Sequence, residues 1–425
     1  MLYPTFKITK PIRLIELFSG YGSQALALKY LGVEFEHWKI CEWAVKSIQA
    51  YKDIHFEEDA KDYSKGLEIG EIKEFLLNKG ISSNYNEPMT ESQINRLNEK
   101  QAKTIYNNIQ ATHNLVNVQT ICGEDLEIVD TDKYEYILTY SFPCQDLSLA
   151  GKQKGMSDTS TRSGMLWEVE RILTECEEKP QILIMENVPM VHSSDNVEDF
   201  NKWQLRLEKL GYKNYWQDLI ATDYGIPQTR NRTFMVSILG DYNYTFPKPI
   251  PLKLKLKDML EDNVDEKYYL SNKQIKDIQT WNAYEKPLEN MEKTDKNNIS
   301  PTLTTRSGAY AAGMILIKNA TKQGYLEATN GDGIDLAMPN SETRRGRVQN
   351  EAIQTLTTQN NLGVVNDLRI RKLTPKECFR LMGIKDEDFD KVAKNQSDSS
   401  LYHLAGDSIV VNVLMAIFGE IIWEY

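Results

Sequence analysis

From Arg13 to Leu239 short apolar runs alternate with amphipathic ones, and that rhythm leaves few architectures open. Arg13–Leu17 reads as a strand, a glycine turn follows, and Gln24–Leu31 reads as a helix. Phe35–Cys41 is a second strand that ends at Glu42, and Ala44–Tyr51 is the next helix. Tyr134–Thr139 is a strand leading into Pro143-Cys144, and Gly164–Cys176 is helical, with Trp167, Ile172 and Leu173 on one face. Gln181–Met185 is a strand ending at Glu186, and Trp203–Leu210 is a helix stopped by Gly211. Strands Tyr212–Ile220 and Thr233–Leu239 complete the series. Repeats of this kind build a parallel α/β sheet covered by helices, with functional side chains at the carboxyl ends of its strands.

At 425 residues the chain exceeds what one compact core usually holds, so two domains are expected. Hydrophobic content of 41% and charged content of 26% are those of an ordinary globular protein. The N-terminus lacks the basic–apolar–small order of an export signal, which points to the cytoplasm. Ile409–Trp423 is the most apolar stretch, but Asn412 and Glu420 interrupt it, and it reads as a buried helix rather than a membrane span. The 5 cysteines are dispersed and form no CxxC pair, and the 5 histidines have no metal-ligand spacing. A disulfide framework and a zinc site are therefore not expected, and no metal is called for. The net charge of −11 argues against a tight nonspecific nucleic-acid binder. Local basic clusters, Lys248/Lys253/Lys255/Lys257 and Arg344/Arg345/Arg347, leave room for salt-sensitive DNA binding.

The texture changes after Pro247, Pro249 and Pro251. Residues 1–244 form a first domain, 245–384 a second with a hinge, and 385–425 a segment that returns to the first. Within the first, residues 57–117 are polar and rich in Lys, Glu and Asn, and are expected to be a solvated helical insertion without chemistry. The second contains an echo: Thr302–Thr305 leads to Gly313–Leu316, and Thr355–Thr358 leads to Gly363–Val365, each reading as strand, polar loop, strand.

Gly20-Tyr21-Gly22-Ser23-Gln24-Ala25 fits G-x-G-x-x-A between a strand and a helix, and Glu42 stands at the end of the next strand. Glycines admit a ligand close to the backbone, the helix start offers free amides, and the carboxylate can hold ribose hydroxyls. A nucleoside cofactor fits, either a dinucleotide or S-adenosylmethionine. Cys144 follows Pro143 at a strand end with polar neighbours Gln145 and Ser148 and the basic loop Gly151–Gly155, which suits a nucleophile. Glu186 lies at another strand end, and Gln228, Arg230 and Arg232 fall on one face if their segment is extended. A thiolate and an acid are what methylation of a pyrimidine carbon needs. C5 of cytosine becomes nucleophilic only after addition at C6 and protonation at N3.

Taken in order, these segments resemble the C5-cytosine DNA methyltransferases of bacteria and phages, nearly end to end. Leu17–Gly22, Phe142–Gln145, Gly164–Glu168, Glu186–Val188, Leu210–Tyr212, Gln228–Arg232, the long Arg371–Gly383 motif and Gly406–Val413 carry the likeness. The resemblance implies a Rossmann-like methyltransferase domain and a smaller, mostly β or irregular target recognition domain. It implies S-adenosylmethionine held by Phe18, Gly20, Gly22, Glu42, Trp43, Asp125, Pro143, Leu166, Asp407 and Ser408. It assigns Cys144, Glu186, Arg230 and Arg232 to catalysis. Gln145, Ser148, Arg162, Gln228, Arg306 and Arg344 are the expected DNA contacts. Glu16, Ser23 and Asp407 depart from the family's usual Asp, Gly and Asn. The implied partner of this monomer is double-stranded DNA, with no membrane involved and any restriction endonuclease acting separately in a restriction–modification or phage-protection role. An RNA cytosine methyltransferase is a weaker reading, since residues 245–370 lack the Cys-Phe-Thr of that branch. A silent DNA-binding relative would not need Cys144 and Glu186, and a dehydrogenase would leave Pro143-Cys144 unexplained.

Overall fold

The computed structural model describes residues 3–142, 164–278, 315–367 and 369–423. Its centre is a six-stranded sheet in the order β2-β1-β3-β4-β6-β5. The strands are β1 (Ile12–Leu17), β2 (Phe35–Cys41), β3 (Glu135–Tyr140), β4 (Ile182–Asn187), β5 (Tyr212–Ile220) and β6 (Asn231–Leu239). β1 pairs in parallel with β2 and β3, and β3 with β4, whereas β6 runs antiparallel to both β4 and β5. The chain moves outward from β1 to β2 and then crosses to the other side at β3. The crevice beyond β1 and β3 is thus a switch point, where α/β sheets bind ligands.

The sheet forms because alternate residues feed two cores. Ile137, Ile182, Ile184, Phe234 and Val236 face one apolar cluster, and Leu138, Leu183, Met185 and Met235 face another. β3 and β4 are buried along their whole length, as central strands covered on both faces must be. On the chain's first excursion lie α1 (Ser23–Leu31), α2 (Val45–His55), α3 (Ile69–Lys79), α4 (Glu91–Asn95) and α5 (Glu99–Ala111). The insertion is helical as expected, and it is not merely solvated. Ile72, Leu76, Ile94, Ala102 and Ile109 pack with Ile48 of α2 into a core of their own. α6 (Met165–Glu175) and α7 (Val197–Lys209) cover the second face.

Beyond α8 (Asn272–Ile278) come the hairpin β7 (Ile315–Lys318) and β8 (Tyr325–Ala328) and a small antiparallel sheet. That sheet comprises β9 (Gly333–Asp335), β10 (Val348–Gln349), β11 (Leu362–Asn366) and β12 (Arg369–Lys372). The echo read in the sequence holds only at its strands β7 and β11. Thr355–Thr358 is not a strand, because its polar groups are engaged by the neighbouring 228–230 segment, and 302–314 lies outside the described residues. The chain ends in α9 (Pro375–Arg380), α10 (Asp386–Ala393), α11 (Asp398–Asp407) and α12 (Val411–Ile422). Among the described residues, Asp398–Ile422 is long and apolar enough to cross a membrane by composition alone, yet 67% of its apolar window is buried in the fold. Its backbone leaves the helix at Ser408–Val410, and α12 packs on α1.

Two buried polar sites anchor these parts, an ion pair and a carboxyl. Arg371 and Glu377 are fully buried and paired through both guanidinium nitrogens at 2.8 and 2.7 Å. Glu377 also accepts the amides of Thr374 (2.8 Å) and Glu261 (2.9 Å), so the long late motif serves to fasten β12 to α9. Removing one member of such a pair strands the other charge in the interior, at a cost of roughly 3–5 kcal/mol. Arg371→Ala should show a loss of that size in urea unfolding, and a loss under about 1 kcal/mol would mean that Glu377 is solvated in the folded chain.

Glu16 is the second. Its carboxyl lies beneath α1, accepting the Tyr51 hydroxyl at 2.5 Å and the Ala25 amide at 3.3 Å. Burial raises it from 4.5 to about 7. A carboxyl raised in the fold contributes most below its unfolded value, and the contribution falls as pH climbs through the folded value. A shift of this size corresponds to roughly 3 kcal/mol. Between pH 4.5 and 7, Glu16→Gln should therefore become progressively more stable relative to the parent. Parallel thermal melts across that range would show it, and a pH-independent difference would contradict it.

Candidate active site

The carboxyl ends of β1, β2, β3 and β4 meet the amino end of the reversed strand β6 at one edge of the sheet. A cavity of about 490 Å³ opens there. β1 contributes Phe18 and Gly20, β2 contributes Glu42 and Trp43, β3 contributes Ser141 and Phe142, and β4 contributes Glu186 and Asn187. Arg230 and Arg232 enter from the start of β6, and Gly406 and Asp407 from the end of α11. A smaller chamber of about 30 Å³ adjoins it at the start of α1, lined by Ser19, Ser23, Gln24 and Ser408.

In the cofactor half, Gly20 has φ +56 with open space where a Cβ would point. Its amide donates to Glu42 Oε2 at 2.9 Å, and the Ala44 amide donates to Oε1 at 2.7 Å. Burial lifts Glu42 to about 7, against the pull of those amides. A carboxylate so oriented retains lone pairs for two further donors, such as a ribose diol. Phe18 holds φ 58, a left-handed conformation unusual for a bulky residue, and it lines both chambers. The free amides at the start of α1 suit the carboxylate of an amino-acid tail. Phe18, Gly20, Glu42, Trp43, Asp407 and Ser408 are thus brought together.

Three expected cofactor contacts stand elsewhere. Gly22 packs the start of α1 against α2, since a Cβ there would lie 2.4 Å from His55 and 2.6 Å from Tyr51. Asp125 turns back in a 3₁₀ turn to accept the Cys122 amide at 2.7 Å, and does not line the cavity. Val116–Gln119 takes that wall, with Val116 at φ 76 and Leu115 bonded to the end of β2 through Ile40. Leu166 is fully buried in the core, and its neighbour Met165 faces the cavity. Pro143, Cys144, Gln145, Ser148, Arg162 and Arg306 lie outside the described residues. Sequence reading also missed Ser47, Tyr85 and Asn187.

In the catalytic half, the Arg232 Nε sits 3.1 Å from Glu186 Oε1, and both side chains are largely buried. Register explains the pairing: Asn187 is opposite Thr233 and Glu186 opposite Phe234, so Arg232 emerges at the same edge. Asn187 donates to the Phe142 carbonyl at 3.0 Å, tying the end of β4 to the end of β3, two residues ahead of Cys144. Arg230 lines the cavity and also ties remote segments together. Its guanidinium donates to the carbonyls of Leu356 (3.0 Å), Gly406 (3.1 Å) and Ser408 (2.7 Å). Gln228 is fully buried, donates to Leu381 O and accepts from Leu356 N, and so cannot reach DNA. Arg344 pairs with Asp335 at 2.5 Å, and buried Arg347 holds the carbonyls of residues 335, 337 and 338. Both brace their loop, while Arg345 remains exposed.

The fold and cavity define a class: an α/β sheet whose strand ends gather a glycine turn, a buried acid and an acid–arginine pair around one crevice. Comparison with known proteins narrows it. The chain belongs to the C-5 cytosine-specific DNA methylase family, whose model matches residues 78–423. The type II methyltransferase M2.ScrFI of Lactococcus lactis subsp. cremoris is 33% identical over 414 residues, covering 96% of this chain and 99% of that protein. The orphan methyltransferase M.SssI of Spiroplasma monobiae is 31% identical over 422 residues, covering 97% and 98%. Among solved structures, Entamoeba histolytica methyltransferase EhMeth matches with a TM-score of 0.53 at 15% identity, over 97% of this chain and 98% of that one. S. pombe Dnmt2 matches with a TM-score of 0.52 at 15% identity, over 96% and 97%, and these two share the fold.

The two arginines should separate cleanly on substitution. Arg230→Ala removes hydrogen bonds from a buried cation, each worth about 1.5–3 kcal/mol, and should lower the unfolding stability markedly. Arg232→Ala leaves the largely buried Glu186 unpaired, so it should also lower the melt, but in protein that stays folded it should slow single-turnover methyl transfer by about 10²-fold, which Arg230→Ala should not. The reverse pattern would exchange their roles.

Proposed function

We propose that this chain transfers a methyl group from S-adenosylmethionine to C5 of a cytosine flipped out of double-stranded DNA. The observation that carries the reading is the Glu186–Arg232 pair, which opens onto the same cavity as Glu42 and Trp43. S-Adenosylmethionine would lie against Phe18, Glu42, Trp43, Asp407 and Ser408 and supplies an electrophilic methyl on a sulfonium.

The target base must leave the stack, because C5 and C6 are attacked perpendicular to the ring. The Cys144 thiolate forms a bond to C6 while the electron pair of the C5–C6 double bond is drawn toward N3. Glu186 accepts the N4 hydrogen and shares a proton with N3, and Arg232 fixes that carboxyl and faces O2. The enamine carbon C5 takes the methyl, a base removes the C5 proton, and the C6–Sγ bond breaks to return the thiolate. Holding donor and acceptor in one cavity supplies the proximity that the transfer needs.

The small sheet and hairpin within 245–384 serve as the target recognition domain, and residues 385–425 rejoin the catalytic domain. Arg306 and the loop that Arg344 braces present side chains to the major groove, and Gln145, Ser148 and Arg162 meet the strand around the flipped base. The enzyme acts as a cytoplasmic monomer, with any cognate endonuclease separate. Its DNA affinity should fall with added salt, with a slope set by the number of phosphates that its Lys and Arg side chains neutralise.

The test is to incubate purified protein with S-adenosylmethionine and unmethylated bacterial DNA and to map 5-methylcytosine base by base. Methylation at one short recurrent sequence, abolished in Cys144→Ser, supports the reading. Absence of 5-methylcytosine in DNA, with methyl incorporated into transfer RNA under the same conditions, overturns it in favour of an RNA substrate.

A further inference from the structure

The inserted segment, expected to carry no chemistry, supplies part of the cavity wall. Residues Tyr85 to Pro88 line the large chamber, and Tyr85 also lines the small one. Their loop is built rather than loose. The Ser82 amide donates to Trp43 O at 2.7 Å, and the Val45 amide donates to Ser82 O at 2.9 Å. Ser82 Oγ reaches Glu87 O at 2.7 Å, Asn84 Oδ1 accepts the amides of Asn86 and Glu87, and Met89 N closes on Ile81 O at 2.7 Å. The loop is therefore locked to the residues that directly follow Glu42.

Tyr85 is held there at a cost. Its φ of 63 is left-handed, which bulky side chains rarely adopt. Its ring stacks on His403 with centroids 3.9 Å apart, and His403 in turn reaches Asp407 at 3.0 Å. Among the described residues its buried hydroxyl has no partner in good hydrogen-bond geometry, although the Ser47 and Ser400 hydroxyls lie close enough to act on it. An unsatisfied buried hydroxyl and a strained backbone in one residue, at the junction of two chambers, call for a ligand group that completes them.

We infer that the Tyr85 hydroxyl binds the amino-acid end of the methyl donor, and that loop 83–88 is the outer wall of the donor site. This rests on the reading that the cavity takes S-adenosylmethionine. Glu42 accounts for the ribose, and Phe18 and Trp43 for the flat base. Tyr85 and Ser47 line both chambers, and one of these is the chamber at the start of α1, where a carboxylate is favoured. A phenol can accept from the ammonium or donate to the carboxylate of that tail.

The experiment is calorimetric titration of the full chain with S-adenosylhomocysteine and with 5′-methylthioadenosine, which lacks the amino-acid end. Tyr85→Phe keeps the ring on His403, and its melting temperature verifies the fold. It should bind S-adenosylhomocysteine about five- to tenfold more weakly and 5′-methylthioadenosine as the parent does. Unchanged affinity for S-adenosylhomocysteine, or an equal loss for both ligands, would overturn the assignment. If the parent itself bound neither ligand, the donor-site reading would fall, and this inference with it.

Discussion

The site stands on one guanidinium. Arg230 enters the fold beside β6 and donates to carbonyls of two segments that are remote in sequence, Leu356 on one side and Gly406 and Ser408 on the other. Around it the two segments touch directly. A Cβ on Gly406 would sit 2.3 Å from the Thr357 carbonyl carbon, so only glycine lets the end of α11 lie against that extended chain. A cation that satisfies several buried carbonyls at once is worth more than separate neutral bonds. Here it fixes the cofactor wall, the recognition segment and the catalytic strand in one frame, and Arg232 two residues on is thereby aimed at Glu186.

The same economy governs the other arginines of the second domain. Arg371 is committed to Glu377, Arg347 to three carbonyls of its own loop, and Arg344 to Asp335. These groups shape surfaces rather than offering charge.

The catalytic sheet was legible because its strands are apolar runs bounded by glycine or acid. Phe35–Cys41 and Tyr212–Ile220 match the structure residue for residue. Helix α2 runs on to His55 because Asp53 and Ile54 are buried, which the polar run Tyr51-Lys52-Asp53 concealed. Glu42, Glu186 and Arg232 line the cavity, as strand-end positions let side chains do. Gln228 and Arg230 misled: a two-residue period predicts a shared face only within a strand, and β6 begins at Asn231. Asp125 drew attention by its charge, while the wall is made by Val116–Gln119, whose signal was only a short β-branched run after α5. The segment from 245 to 384 stayed opaque because buried arginines and polar loops replace the usual apolar pattern.

The two adjoining chambers join Phe18, Glu42 and Trp43 from the chain's first stretch with His403, Asp407 and Ser408 near its end. During synthesis the early strands leave the ribosome long before the residues that complete their pocket. A growing chain can fold much of the sheet, yet it has no finished cavity until α11 has emerged and Arg230 has found Gly406 and Ser408. Connectivity thus makes the closing of the cavity a late event, and a chain that stops before α11 would hold the sheet without that wall.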